Sequence, residues 1–391
     1  MEAYIVDAVR LAGGRRNGRL SKLHPSDMGA AVIDALLARN GVYPAAVEDV
    51  IFGCVSQIGP QTFNVARTVV LASKLPESVP GVSVDRQCGS GQQAIHFAAQ
   101  AVMSGTQDIL IAGGVESMSM VPILAAKTVA DKAGMVSPFA GKAMGERYPG
   151  CEFNQFDGAE RLAKKYGVTR DELDDFAYQS HVKGARAYNE GRFKHEIIPL
   201  ELEIDGQRVK HEVDEGLRFD PSLEKTKSLQ PLQPGGLITA GSASQICDGA
   251  AAVLVVNERG LKELGVRPLA RIHAMAVVGS DPTIVLEGPI PATQKILKQT
   301  GLTIDDLDLY EVNEAFGSVP LAWAKAVGAK LDKLNVNGGA QALGHPLGAT
   351  GAKLMGTLAW ELKRRKGKFG LLTICEGLGT ANATIIERLA D

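Results

Sequence analysis

Cys88, Asn313, His345 and Cys375 each stand in a short motif: DRQCGSGQQ, VNEAFG, NGGAQALGHPLGATG and TICEGLG. Two thiols, an imidazole and a carboxamide suit covalent acyl chemistry, because a thiolate attacks an acyl carbonyl well and an imidazole can take its proton. Cys88 precedes Gly89-Ser90-Gly91 at the expected start of a helix. There the free N–H groups and the positive end of the helix dipole favour thiolate over thiol, and the small neighbours admit a substrate. The plainer alternative is a buried structural cysteine. His345 is followed by Pro346, which holds it extended and points it out of a loop rich in glycine (Gly338, Gly339, Gly344, Gly348, Gly351). A lone loop histidine is usually just solvated; so dense a glycine turn favours a functional one. Cys375 closes an apolar run (Leu371, Leu372, Ile374) and reads equally well as a core cysteine, while Asn313-Glu314 follows a strand-like run and fits either a cap or a site.

The remaining cysteines, Cys54, Cys151 and Cys247, read as structural; five widely spaced cysteines without a CxxC pair indicate free thiols and no disulfide framework or structural zinc. Gly89-Ser90-Gly91-Gln92-Gln93-Ala94 also fits the G-x-G-x-x-A dinucleotide pattern. Asp85-Arg86-Gln87 separates those glycines from the strand, however, and Asp108 starts a strand where the fingerprint acid should end one.

The elements that must carry these residues alternate as in an α/β protein. Val47 to Val55, Gly81 to Val84 and Asp108 to Gly113 read as strands, with the one before Cys88 expected to be buried; Gln92 to Met103 carries the apolar stripe of a helix through Ile95, Ala98 and Val102. The carboxy-terminal third repeats this order: Val47-Glu48-Asp49-Val50-Ile51 resembles Ile304-Asp305-Asp306-Leu307, and each leads to a glycine-rich turn, a long helix and a strand ending in glycines. Between the halves the rhythm breaks into a more charged stretch, where Thr169 to Glu172 reads as a capping box opening a helix. The expected division is a first half at 1–118 with 241–265, an inserted lobe at 119–240 and a second half at 266–391. Such a lobe is well placed to build a pocket wall.

At 391 residues, with 45% hydrophobic and 22% charged residues, the chain has the composition of a globular protein of two or three domains. A net charge of −2 argues against nucleic-acid or membrane-surface binding, since both need a positive field. No run reads as a membrane span, MEAYIVDAVR lacks a signal-peptide pattern, and the final Ala390-Asp391 does not fit a peroxisomal tripeptide, so a cytoplasmic location is expected.

Taken together, the four motifs, in this order and spacing, resemble the thiolase family over essentially the whole chain. The resemblance implies two duplicated α/β halves in a five-layered α-β-α-β-α core with an inserted loop domain. It implies that Cys88 is the acylated nucleophile, His345 its base and Cys375 the second acid and base. It also implies one oxyanion hole from His345 and a water held by Asn313, and another from the backbone N–H groups of Cys88 and Gly377. Coenzyme A is implied as substrate, with no tightly bound cofactor and no metal; the implied contacts are Arg218, Ala243, Ser244, Ala315 and Phe316. A homodimer or homotetramer is expected on the same ground. Asn154-Gln155 stands where short-chain biosynthetic members carry His-Met, Gly317 replaces an alanine, and Leu378 replaces a glycine. The favoured activity is therefore degradative cleavage of 3-ketoacyl-CoA, with bulky or branched acyl groups in view. The alternatives are an acetyl-CoA acetyltransferase, a silent acyl-CoA-binding homologue, and a condensing enzyme of the ketoacyl synthase type, which the second cysteine disfavours.

Overall fold

The computed structural model describes residues 1–389; Ala390 and Asp391, on which the reading of the final tripeptide rests, lie outside the described residues. The first half-sheet consists of β1 (Tyr4–Arg10), β2 (Asp49–Gly53), β3 (Gly81–Val84), β4 (Ile109–Ser117) and β5 (Cys247–Val256), in the order β3-β2-β4-β5-β1. The second consists of β6 (Ala270–Gly279), β7 (Leu309–Val312), β8 (Phe369–Glu376) and β9 (Thr380–Glu387), in the order β7-β8-β9-β6. The halves repeat each other in direction as well as order: β2 runs parallel to β4 and β7 to β8, while β5 and β9 run antiparallel to their neighbours. A parallel bridge from Tyr310 to Leu334 stands where β3 lies beside β2. Tyr4–Arg271 and Ile5–Ala270 join the two half-sheets edge to edge.

Six helices cover these sheets: α1 (Pro25–Asn40), α2 (Val65–Ala72), α3 (Ser90–Ser104), α4 (Pro289–Thr300), α5 (Ser318–Val327) and α6 (Thr350–Arg365). Successive strand residues point to opposite faces, and here both faces are covered. Ile109 and Ile111 pack outward against α1 and α2, whereas Leu110 and Ala112 face the central layer of α3 and α6. In the second half Leu372 and Ile374 enter that same central layer, while Leu371 and Ile385 face α4 and α5. Strands buried on two sides read as unbroken apolar runs, as DILIAGG and FGLLTIC do. The five layers are thus α1/α2, sheet, α3/α6, sheet, α4/α5.

The repeat falls in a different register from the one expected. The 3-10 turn Pro44–Ala46 matches Ile304–Asp306, so Val47-Glu48 corresponds to Leu307-Asp308, three residues along from the expected match. Side-chain chemistry fixes this register: Glu48 accepts from the Ile109 N–H at 3.0 Å, and Asp308 accepts from the Phe369 N–H at 3.1 Å, at the start of β4 and β8. The same offset pairs the left-handed caps Gly41 and Gly301, and Ser90 with Thr350. The strand before Cys88 is a sheet edge, not a buried strand, and Val82 is 45% exposed.

In the lobe, Thr169 and Glu172 form the expected capping box at the start of Arg170–Asn189. Asn154 caps the helix Gln155–Lys165 through the Phe156 N–H. Leu162, Leu173 and Phe176 dock this lobe into the core of the second half. Each such fully buried side chain contributes roughly 1.5–3 kcal/mol.

Candidate active site

Cys88 sits on a hard turn. Gln87 adopts φ 47°, a left-handed conformation that a glutamine holds only when its surroundings impose it. Ser90 imposes it: its hydroxyl donates to Gln87 O at 2.6 Å and accepts from the Arg86 N–H at 2.9 Å, while its N–H also donates to Gln87 O. The thiol thereby stands at the first turn of α3, as expected. Its protonation is not as expected. Burial first, then the negative charges of Glu376 and Glu116, pushes the Cys88 thiol up to about 12. Desolvation of the thiolate outweighs the helix end, so the resting group is a thiol that needs a base.

His345 does not point out of its loop into solvent; it is buried. Its Nδ1 lies 2.6 Å from Thr350 Oγ1, whose own proton goes to Pro346 O at 2.9 Å. The hydroxyl must therefore accept from Nδ1–H, which leaves Nε2 unprotonated, an acceptor toward Asn313. Asn313 Nδ2 lies 3.3 Å from that Nε2, and Asn313 Oδ1 is buried with no partner among the described residues. Burial, and secondarily Lys353, lowers His345 to about 3, so it is a neutral imidazole across the physiological range. Lys353 also holds the loop itself: its buried Nζ donates to Leu343 O at 2.6 Å and Gly344 O at 3.0 Å. Beside it Arg10 pairs with Glu196 at 2.7 Å and Asp214 at 2.8 Å, joining β1 to two points of the lobe. Thr350, Lys353 and Gln87 escaped the sequence reading; Thr350 lies five residues after His345, where a glycine-rich loop turns into a helix.

Glycines explain how the histidine loop reaches the nucleophile helix. Gly53, Gly91 and Gly114 surround Gly348 O so closely that a Cβ at any of them would collide with it, and one at Gly351 would strike the Gln92 backbone. The end of β2, the end of β4 and the first turn of α3 therefore pack backbone to backbone against the loop after His345.

Cys375 ends β8, fully buried, and burial together with Cys88 and Glu376 raises its thiol well above the ordinary range. A Cβ at Gly377 would lie 2.8 Å from Gln87 Oε1, so the turn after Cys375 touches the turn before Cys88. The structure thus brings all four motifs together. Glu314 is not part of the reacting set: its carboxylate is satisfied by Ser180, Asn335 and the Gln341 N–H, and clamps the asparagine loop to the lobe.

Ser242–Ser244 and Ala315–Gly317 pair as a short ladder, with the Ser244 N–H on Ala315 O at 2.9 Å and the Gly317 N–H on Ser242 O at 2.7 Å. Ala243, Ser244, Ala315 and Phe316 therefore share one wall, and Phe156 from the lobe meets Phe316 edge-on at 5.4 Å. Arg218 lines a neighbouring cleft of about 290 Å³ with His181, Thr226, Gly241 and Gln245. Among the described residues no group of three or more His, Cys, Asp or Glu side chains is placed to hold a metal ion.

Comparison with known proteins gives the family. The family profile for the thiolase N-terminal domain matches residues 3–259, and that for the thiolase C-terminal domain matches residues 266–388. The chain is 53% identical over 389 residues to the steroid 3-ketoacyl-CoA thiolase FadA6 of Mycobacterium tuberculosis, covering 99% of this chain and 94% of that protein. It is 41% identical to a 3-ketoacyl-CoA thiolase of Marinobacter nauticus, covering 99% and 98%, and 42% identical to one of Idiomarina loihiensis, covering 99% and 100%. With both halves of the fold matched in order by the two profiles and relatives 53% and 41% identical over nearly the whole chain, the chain belongs to the thiolase family.

Proposed function

We propose that this chain is a 3-ketoacyl-CoA thiolase: an acyltransferase that cleaves a 3-ketoacyl-CoA with coenzyme A into acetyl-CoA and a shortened acyl-CoA. The observation that supports this most is the buried, neutral His345, its Nε2 kept unprotonated by Thr350, in a site shared by two protonated cysteines.

The Cys88 thiol gives its proton to His345 Nε2 as its sulfur attacks the C3 ketone, and the C2–C3 bond then breaks with its electron pair on the acetyl-CoA carbon. Cys375 protonates that carbon and becomes a thiolate. Acetyl-CoA leaves; Cys375 next takes the proton of an incoming CoA thiol, whose sulfur attacks the acyl-Cys88 thioester. Cys88 departs and recovers its proton from His345. His345 and an Asn313-held water stabilise one oxyanion, and the N–H groups of Cys88 and Gly377 the other, each donor contributing about 3 kcal/mol.

Coenzyme A is the shared substrate, lying along Ala243, Ser244, Ala315 and Phe316 with its phosphates toward Arg218. The domains divide at 1–118 with 241–265, 119–240 and 266–391; the break between the two matched profiles supports the boundary before 266. The acyl group is bulky, in keeping with the steroid substrate named for the mycobacterial relative and with Asn154 capping a helix in the lobe. The enzyme works in the cytoplasm as a homodimer or homotetramer; no helix among the described residues is long and apolar enough to cross a membrane. Steady-state thiolysis of acetoacetyl-CoA against 3-ketoacyl-CoA substrates with long and ring-bearing acyl groups tests the reading. Higher kcat/KM for the larger substrates is expected, and a steep fall beyond acetoacetyl-CoA would establish the acetyltransferase alternative instead.

A further inference from the structure

Glu376 takes no part in the steps above, yet it stands between Cys375 and Gly377. The duplication supplies its reference. Glu116 holds the same place at the end of β4 that Glu376 holds at the end of β8, counting from the matched strand starts Ile109 and Phe369. The Glu116 carboxylate is fully engaged, accepting from the N–H groups of Val55 at 3.0 Å, Ser56 at 3.0 Å and Gly348 at 2.9 Å, and from Gln61 Nε2 at 3.0 Å. It is an anchor across the halves, from the first half to the loop after His345.

Glu376 reaches the opposite way, from the second half to the turn of Cys88. It is fully buried against Gly89, where any side chain would overlap its carboxylate. Thr380 Oγ1 donates to Oε2 at 2.6 Å, but Oε1 has no partner among the described residues. A carboxylate buried with so few donors is costly, whereas the neutral acid is tolerated. The charged and titratable groups around it are Arg86 and Asp85 in the turn before α3, Cys88 on that turn and Cys375 on its own strand; Thr380, Gln87 and Asn382 do not titrate. Burial prevails over Arg86, so Glu376 is pushed up to about 8.

We propose that Glu376 tunes the nucleophile: as a neutral acid it adds no charge against the ionisation of Cys88, and once it loses its proton its charge opposes the Cys88 thiolate and sets the alkaline limit of acylation. It acts through Cys88 and is a positioning residue, not a catalytic one. The inference rests on the reading of Cys88 as nucleophile, but its test is independent of turnover.

The test is the rate of Cys88 alkylation by iodoacetamide from about pH 6 to about pH 10, followed on the Cys88 peptide by mass spectrometry. The native protein is expected to show a break in slope near the Glu376 titration. In Glu376→Gln the break disappears and the rate at the alkaline end rises about tenfold above the native one, equivalent to roughly one unit in the ionisation of Cys88. Thr380→Val removes a donor that favours the carboxylate and moves the break to higher pH. Superimposable profiles for the native protein and Glu376→Gln overturn the proposal. If Glu376→Gln does not fold, an unmoved break in Thr380→Val overturns it. Failure of the function itself would appear elsewhere, as acylation that survives Cys88→Ala.

Discussion

Burial leaves Cys88 a thiol and His345 a neutral imidazole, so no ion pair is stored between them at rest, and in the proposed mechanism one proton passes from thiol to imidazole as the carbonyl is attacked. That arrangement depends on the direction of one hydroxyl. Thr350 Oγ1, committed to Pro346 O, forces the proton onto Nδ1 and keeps Nε2 unprotonated. Thr350→Val should therefore lower kcat roughly tenfold or more with little change in KM, since orienting a general base belongs to the transition state and not to substrate binding. Steady-state thiolysis checks this, and an unchanged kcat would remove Thr350 from the account. Cys88 and Cys375 were legible in the sequence as candidate site residues because glycine-rich turns follow them, and the structure brings their turns together. Their protonation was not, because desolvation is set by layers of chain distant in sequence. The helix-end argument pointed to a thiolate, and burial reversed it.

Loops are held here by elements far apart in the chain, and this is the scale at which the sequence conveyed least. The strands, the nucleophile helix and the capping box at Thr169 were readable from local pattern, and the repeat was visible with its register three residues off. Local pattern does not show that Glu48 and Asp308 cap equivalent strands, nor that Gly53, Gly91 and Gly114 exist to admit Gly348. Gly114→Ala should drive a methyl group into the Gly348 carbonyl. A destabilisation of about 1–3 kcal/mol, the usual cost of overpacking, is expected in denaturant unfolding, together with a fall in kcat as the His345 loop shifts. A variant as stable and active as the native protein would contradict this close packing. Lys353 offers a complementary case. Lys353→Met frees the Leu343 and Gly344 carbonyls and leaves Asp214 and Glu196 facing Arg10 alone. Loss of kcat is expected, with recovery in Lys353→Arg; equal kcat in the two variants would mean that the cation does not position the loop.

Across the whole molecule, two copies of one α/β unit face each other through α3 and α6, and each contributes different residues to the candidate site. The first supplies Cys88; the second supplies Asn313, His345 and Cys375. The same central layer buries His96, which bonds Thr384 at 2.7 Å and is lowered to about 3 by burial. Below the ordinary histidine value the unfolded chain gains a proton that the native state refuses until about pH 3, so stability falls as pH drops through that window. His96→Gln should flatten the dependence by up to about 1.4 kcal/mol per pH unit in denaturant unfolding; an unchanged slope would show that His96 is not held neutral. The central claim is that an acyl group is carried on Cys88. Peptide mass spectrometry after incubation with acetyl-CoA tests it most directly: an acetyl-sized gain on the Cys88 peptide, abolished in Cys88→Ala, is predicted. No adduct on Cys88, or an acylated protein that persists in Cys88→Ala, would contradict it.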